Sequence, residues 1–278
     1  MKHDCLIIEG GGFKTAFTSG IIDAFIATDF RPFETIIGVS GGSVALSYYM
    51  SQQFRYCINA MKYLATSKQF AQYRRTLSNK GYLDIDYLAT VAAEKVPFDI
   101  KKALSNSKTL TPHIVATDRK SGLPHYFHPN KNNWIQSVIA SSTLPFATKG
   151  VHSIDGNSYF DGGWSDPLPV QWAYENGARD ILVLRTKPKG LKLKQSWADY
   201  FGSKYFKSIP ELSKIFESSH EVYNNAIDLM ASPPSDLKVT QLAPKKLLKS
   251  GTYSYSKSTL MLDYRYGLDK GIRYVEGY

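Results

Sequence analysis

Twice within the first 54 residues, an apolar run ends in glycines and opens into a pattern of helical period. The first run, Cys5 to Ile8, meets Glu9 and Gly10-Gly11-Gly12, after which Ala16, Ile21, Ile22, Phe25 and Ile26 recur at helical spacing with Asp23 and Asp29 off the stripe. The second, Phe33 to Ile37, turns through Gly38-Val39-Ser40-Gly41-Gly42 into an apolar stretch ending near Phe54. Strand, glycine turn and helix, repeated at once, predict an α/β fold with a mainly parallel central sheet.

The rest of the chain extends that pattern. Residues 55–105 read as mostly helical, and the sheet resumes at "HIVATD" and "PHYFH". A helix over "NWIQSVIASST" precedes a strand pair, "VHSID" and "SYFDGG", with its turn expected at Gly156-Asn157. One more helix and strand follow at "PVQWAYENGA" and "DILVLRT". After Arg185 the lysine-rich "KPKGLKLKQS" reads as a linker or loop, with helical patterns and a short strand candidate, "LKVTQL", beyond it.

With 278 residues, 43% hydrophobic and 13% aromatic, the chain can bury a sizeable core, which excludes disorder and low-complexity classes. Cys5 and Cys57 cannot make a disulfide scaffold and are expected as small buried hydrophobes. No run reaches the length of a spanning helix, and "MKHDCLIIEGGG" lacks the apolar core of a signal peptide. The expectation is a cytoplasmic chain, with membrane association left open.

Gly38-Val39-Ser40-Gly41-Gly42 is a G-x-S-x-G between strand and helix. A serine on such a turn sits in a strained conformation, and side chains at the flanking glycines would collide with neighbouring elements. The following helix directs its positive dipole end at the turn. At the end of the first strand, three consecutive glycines expose backbone N–H groups that can converge on an anion. A dinucleotide loop would need a glycine where Thr15 stands, and a P-loop would need a glycine where Phe13 stands before Lys14-Thr15. Oxyanion stabilisation beside Ser40 needs only the N–H donors.

A Ser-His-Asp arrangement lacks a suitable histidine. Only His220 lies well downstream, in a stretch that reads as a surface helix, and His113, His125, His128 and His152 show no ligand spacing. No metal or cofactor is therefore expected. A carboxylate is the other route: Asp161-Gly162-Gly163 follows an apolar strand, and an aspartate within reach of Ser40 can take its proton if burial raises its basicity.

Four blocks in order, "GGGFKT", "GVSGG", "ASSTLP" (Ala140 to Pro145) and "DGG", resemble the patatin-like phospholipases, most closely the bacterial single-domain members. The resemblance covers about residues 5–185. It implies a three-layer α/β/α patatin-like catalytic domain, Ser40 as nucleophile and Asp161 as proton acceptor. It also implies an oxyanion hole from Gly10, Gly11, Gly12, Phe13 and Lys14, and hydrolysis of lipid carboxylic esters through an acyl-enzyme. Gly38, Gly41, Gly42, Gly162 and Gly163 support the two motifs. The family loop reads G-G-G-x-R-G; here Lys14 keeps the charge without the planar fork of arginine, and Thr15 replaces the last glycine. Two other readings remain: an esterase for soluble short-chain esters, and a non-catalytic lipid-binding or regulatory module of the same fold.

Residues 186–278 are expected to form a basic, mostly helical extension packed on the same domain. The formal charge is +10, with 16 Lys+Arg against 9 Asp+Glu after residue 184 and 18 against 15 before it. "KVTQLAPKKLLKSGTYSYSKS" and "DYRYGLDKGIRY" interleave base with tyrosine, which suits a packed helical face or peripheral contact with an anionic membrane. No nucleic-acid-binding motif accompanies them, and no nucleic-acid partner is expected.

Overall fold

The first apolar run is strand β1 (Cys5–Ile8), buried throughout and paired in parallel on both sides. The structure, a computed structural model, describes residues 3–72, 74, 81–145, 147–251 and 256–277. A glycine turn leads into α1 (Thr15–Ala27), and the second run is β2 (Thr35–Val39), followed at once by α2 (Gly41–Met50). Next come α3 (Tyr56–Thr66), the short α4 (Tyr87–Thr90) continuing into a π turn at Val91–Lys95, and α5 (Ile100–Asn106). Part of the stretch expected to be helical, residues 73 and 75–80, lies outside the described set. β3 (Thr111–Asp118), β4 (Pro124–Phe127), α6 (Trp134–Ser141), β5 (His152–Ile154), β6 (Asn157–Asp161), α7 (Val170–Glu175) and β7 (Asp180–Leu184) follow. The chain then forms α8 (Trp197–Tyr205), α9 (Pro210–Ala231), β8 (Lys238–Leu242) and α10 (Lys257–Glu276).

β3, β2, β1, β7 and β8 run parallel in that order, while β4, β5 and β6 join antiparallel. The "LKVTQL" strand is thus the edge of the main sheet, so the basic last third completes the core as well as extending it. The β5–β6 pair forms as expected, but its turn is Asp155-Gly156, one residue earlier than anticipated. Both turn residues have positive φ (50° and 78°), the combination whose twist matches the flanking strands, and Asn157 already pairs with Ile154.

Side-chain alternation divides the core into two layers, giving the three-layer α/β/α arrangement. Leu6, Ile8, Ile36, Ile114 and Leu182 face α1, α2, α3 and α6. Cys5, Ile7, Ile37, Val115 and Ile181 face α7 and α9. α1 is buried on nearly every side, because α10 covers the face that the sheet does not. The two helices approach through glycine: a Cβ on Gly267 would stand 1.8 Å from the Phe17 carbonyl oxygen, and one on Gly20 2.1 Å from that of Tyr264. Gly267→Ala must separate them, and denaturant unfolding is expected to show a loss of about 1–3 kcal/mol.

Tyr264 and Tyr266 of the tyrosine-rich tail belong to this packing. Tyr264 is buried, Tyr266 rests on the Phe17 ring at 5.1 Å, and both are turned to α1. Tyr253 and Tyr255 lie outside the described residues. Among those described, no helix is long and apolar enough to cross a membrane.

Candidate active site

Ser40 occupies the sharp turn between β2 and α2 with φ 53° and ψ −128°, a conformation that costs an L-residue on the order of 1–3 kcal/mol. Neighbouring bonds hold it there. Its N–H donates to Ser141 Oγ (2.8 Å), and that hydroxyl donates to the Val115 carbonyl (2.6 Å). Its carbonyl accepts from the Ser43 N–H (2.8 Å) and Ser43 Oγ (2.6 Å). The glycine requirement is steric, as expected: a Cβ on Gly42 would lie 2.2 Å from the Ile8 carbonyl oxygen, so the turn rests directly on β1.

Asp161 reaches Ser40 through an unusual strand arrangement. On β3, Ile114 and Val115 pair with β2 on one side and β4 on the other, whereas Ala116 and Thr117 pair with β6 and β4. β2 and β6 therefore lie along the same side of β3 and meet end to end. Val39 is opposite Val115 and Asp161 is opposite Ala116, so the residue after β2 and the last residue of β6 become neighbours. Ser40 Oγ donates to Asp161 Oδ2 at 2.6 Å. The other carboxylate oxygen accepts from the Gly163 N–H (2.8 Å), and Thr117 Oγ1 donates to the Asp161 carbonyl (2.8 Å). Burial pushes the Asp161 carboxyl up to about 6, against the opposing pull of the Ser40 and Gly163 hydrogen bonds.

The glycine loop packs against the serine: a Cβ on Gly10 would be 2.7 Å from Ser40 Cβ. Gly12–Lys14 form a single tight turn, closed by the Lys14 N–H on the Gly11 carbonyl (3.2 Å). Among the described residues, no acceptor takes the N–H groups of Gly11 and Gly12. Gly10 to Phe13 line a cavity together with Ser40 and Asp161. Lys14 points elsewhere, half-buried, and its ammonium is lowered by burial and by Lys187, with Glu9 opposing.

Beneath the loop lies a charged cluster to which the motifs assigned no role. Glu9 accepts from Arg185 Nε (3.1 Å) and the Thr186 N–H (2.6 Å) on one oxygen, and from Lys187 Nζ (2.8 Å) on the other. Arg185 also donates to Gln241 Oε1 (2.7 Å) and Tyr223 Oη (2.7 Å), and Thr186 Oγ1 donates to the Gly10 carbonyl (2.7 Å). Burial alone would raise the Glu9 carboxyl, but Lys187 and Arg185 bring it down to about 2. The cluster ties the loop to β7, β8 and α9. Its one sequence signal is an acid wedged between an apolar strand and three glycines, a place where an unpaired charge would be very costly.

The cavity above Ser40 measures about 440 Å³, within the range of small-molecule sites. Leu64, Phe70, Leu83, Ile85, Leu88 and Leu144 supply apolar wall, while Lys187, Lys194, His220 and Tyr223 supply polar wall. His220 thus belongs to the cavity wall rather than to an outward surface. Its Nδ1 is buried without a partner among the described residues, and Asp161 bonds Ser40 directly. The other histidines are engaged elsewhere: His113 stacks edge-on to Trp172 (4.9 Å), His125 on Phe127 (4.4 Å), and His152 contacts Lys149 and Gln136. Among the described residues, no cluster of His, Cys, Asp or Glu is arranged to hold a metal.

The chain is thus a mainly parallel α/β protein with a strained serine at a strand–helix turn, bonded to a buried aspartate beside a glycine loop. A family model described as patatin-like phospholipase matches residues 6–174, and the chain belongs to that family. Residues 209–278 match a second model, a domain of unknown function (DUF6363). The chain is 29% identical over 270 residues to the uncharacterized protein YjjU of Escherichia coli (strain K12), covering 94% of this chain and 74% of that one. In fold it resembles VipD from Legionella pneumophila, with a TM-score of 0.51 and 11% identity over 100% of this chain and 67% of that chain.

Proposed function

We propose that this protein is a serine acyl hydrolase that cleaves carboxylic esters of lipids, with Ser40 as nucleophile and Asp161 as its general base. The observation that carries this reading is the 2.6 Å bond from Ser40 Oγ to Asp161 Oδ2 at the floor of a largely apolar cavity. Ser40 attacks the ester carbonyl as Asp161 takes its proton. The N–H groups of Gly11 and Gly12 in the Gly10–Lys14 loop receive the oxyanion, and the α2 N-terminus at Gly41 adds its dipole. Asp161 returns the proton to the departing alcohol or lysophospholipid. A water deprotonated by Asp161 then attacks the acyl-enzyme, releasing the fatty acid and restoring Ser40.

The apolar wall suits an acyl chain, and the Lys187–Lys194 side suits an anionic head group. An anionic membrane surface is the natural source of such a substrate, and peripheral contact with it belongs to the same proposal. A fluorophosphonate probe tests the nucleophile: it should label the wild-type protein on Ser40, and an unlabelled, correctly folded chain would favour a lipid-binding module instead. Comparing phospholipid micelles with soluble short-chain esters separates a lipid hydrolase from a general esterase.

The mechanism also sets the pH dependence. Asp161 works as a carboxylate, so kcat/KM should fall about tenfold per unit below a midpoint near 6, the value to which burial raises this group. A profile flat between pH 5 and 7 would remove Asp161 from the base role.

A further inference from the structure

Helix α8 is built inside out. Its buried side carries Asp199, Gly202 and Ser203, with Gly202 pressed against the Phe216 ring of α9, where an added Cβ would lie 2.4 Å away. Its outward side carries Trp197, Tyr200, Phe201 and Tyr205, which are 78%, 45%, 61% and 73% exposed. Spacings of three, four and eight residues place all four on one stripe of a helix. The fold had small and polar residues available for that face and put its aromatics there instead. Scattered exposed apolar residues need no explanation, but a contiguous aromatic stripe marks a surface that meets something.

We infer that α8 and the lysine-rich segment leading into it form an interfacial docking surface that seats the cavity mouth on an anionic phospholipid bilayer. Two observations point to lipid rather than to another protein. The first is charge: residues 187–207 hold six lysines and a single acid, and that acid, Asp199, is buried in the capping box with Ser196. Lys187 and Lys192 are paired with Glu9 and Asp228, while Lys189, Lys194, Lys204 and Lys207 are exposed on α8 and the chain either side of it, with Lys204 over the Tyr200 ring at 5.5 Å. Exposed lysine contributes on the order of 1 kcal/mol near an anionic leaflet, and Trp and Tyr favour the head-group depth.

The second observation is continuity. Leu193, Lys194, Ser196 and Asp199 line the cavity that holds Ser40. The inner side of the first turn of α8 therefore borders the site while its aromatic side faces outward. An ester-bearing lipid lifted from a bilayer under α8 would enter the cavity without crossing water. The inference rests on the lipid-hydrolase reading for its purpose, but the surface is defined independently of the dyad. It also relocates the membrane contact anticipated from the tyrosine-rich tail, whose Tyr264 and Tyr266 are spent on packing against α1.

The test uses the full chain with phosphatidylcholine vesicles, alone or mixed with phosphatidylglycerol. Wild type should sediment with the mixed vesicles, more weakly at high salt, and should show a blue shift of tryptophan fluorescence. Trp197→Ala/Phe201→Ala should lose about tenfold in partitioning while turning over a soluble short-chain ester at the wild-type rate. Replacing Lys189, Lys204 and Lys207 by Gln should abolish the preference for anionic vesicles. Equal vesicle binding by wild type and the aromatic variant would overturn the inference. So would a wild-type protein that ignores vesicles and instead forms a dimer broken by the same substitutions. Vesicle binding without hydrolysis of any ester would leave the docking surface standing and sink the hydrolase reading.

Discussion

Ser40→Ala is expected to lower ester hydrolysis by at least about 10⁴-fold, because it removes the hydroxyl that is bonded to the Asp161 carboxylate. Asp161→Asn should cost a comparable factor, since an amide cannot accept the serine proton. The two variants differ in stability, and that difference guards against mistaking an unfolded protein for an inactive one. Burial holds the Asp161 carboxyl at about 6 against an ordinary 3.8, so folding disfavours its charged form. Below pH 4 the group is protonated in both states and contributes no penalty. Above pH 6 the native state bears a penalty of about 3 kcal/mol that the unfolded chain does not. Asp161→Asn removes it while keeping the size of the side chain and an oxygen for the Gly163 N–H. The variant should therefore melt higher than wild type at pH 8, and the gap should close as the pH falls through 6 to 4. Equal activity in either variant would remove the dyad from the chemistry. A lowered melting point for Asp161→Asn at pH 8 would show that the burial cost is offset elsewhere.

Arg185→Met should be the most damaging substitution away from the serine. Arg185 is fully buried and shares Glu9 with Lys187, so its removal strips a buried carboxylate of one cation, takes the donor from Gln241 Oε1, and leaves Tyr223 Oη only its own bond to Glu9 (3.2 Å). Breaking a buried pair by removing one member costs about 3–5 kcal/mol. Urea unfolding should show a loss of that size for Arg185→Met, and a smaller one for Glu9→Gln/Arg185→Met, in which no buried carboxylate is stranded and the charge left over is the partly exposed Lys187. The stabilisation from Glu9 is present above about pH 4.5 and is lost as the pH falls toward its native value of about 2. Acid should accordingly narrow the gap between wild type and Arg185→Met. Because Thr186 holds the Gly10 carbonyl from the same strand end, kcat should fall as well. A double variant no more stable than Arg185→Met would show that the cluster is not a coupled unit.

Much of this architecture was legible in the chain. Apolar runs ending in glycine located β1 and β2, and helical periodicity located α1 and α2, because a buried parallel strand and a sheet-covering helix each impose a period on the residues that form them. The hairpin was legible to within one residue. Asp155-Gly156 turned earlier because the positive φ of a two-residue turn must fall on both central positions, which composition alone cannot register. His220 was read as outward-facing from its helix, yet the way α9 lies over the sheet brings it into the cavity wall. α8 looked like one more helix after a linker. Only its packing against Phe216 shows that its aromatic stripe faces outward.

The sequence by itself determined the chemical parts: a serine flanked by glycines that no side chain could replace, an aspartate at a strand end, and a loop rich in free amides. Those are local demands, written in short runs of residues. Tertiary structure decided what the parts do to one another. β2 and β6 meet along one edge of β3 and set Ser40 against Asp161 across 121 positions of chain, and burial there gives the carboxyl its basicity. Glu9 finds Arg185 because β1 and β7 are neighbours in the sheet. Hydrogen-bond register and dielectric environment belong to the folded whole, and no window of sequence contains them.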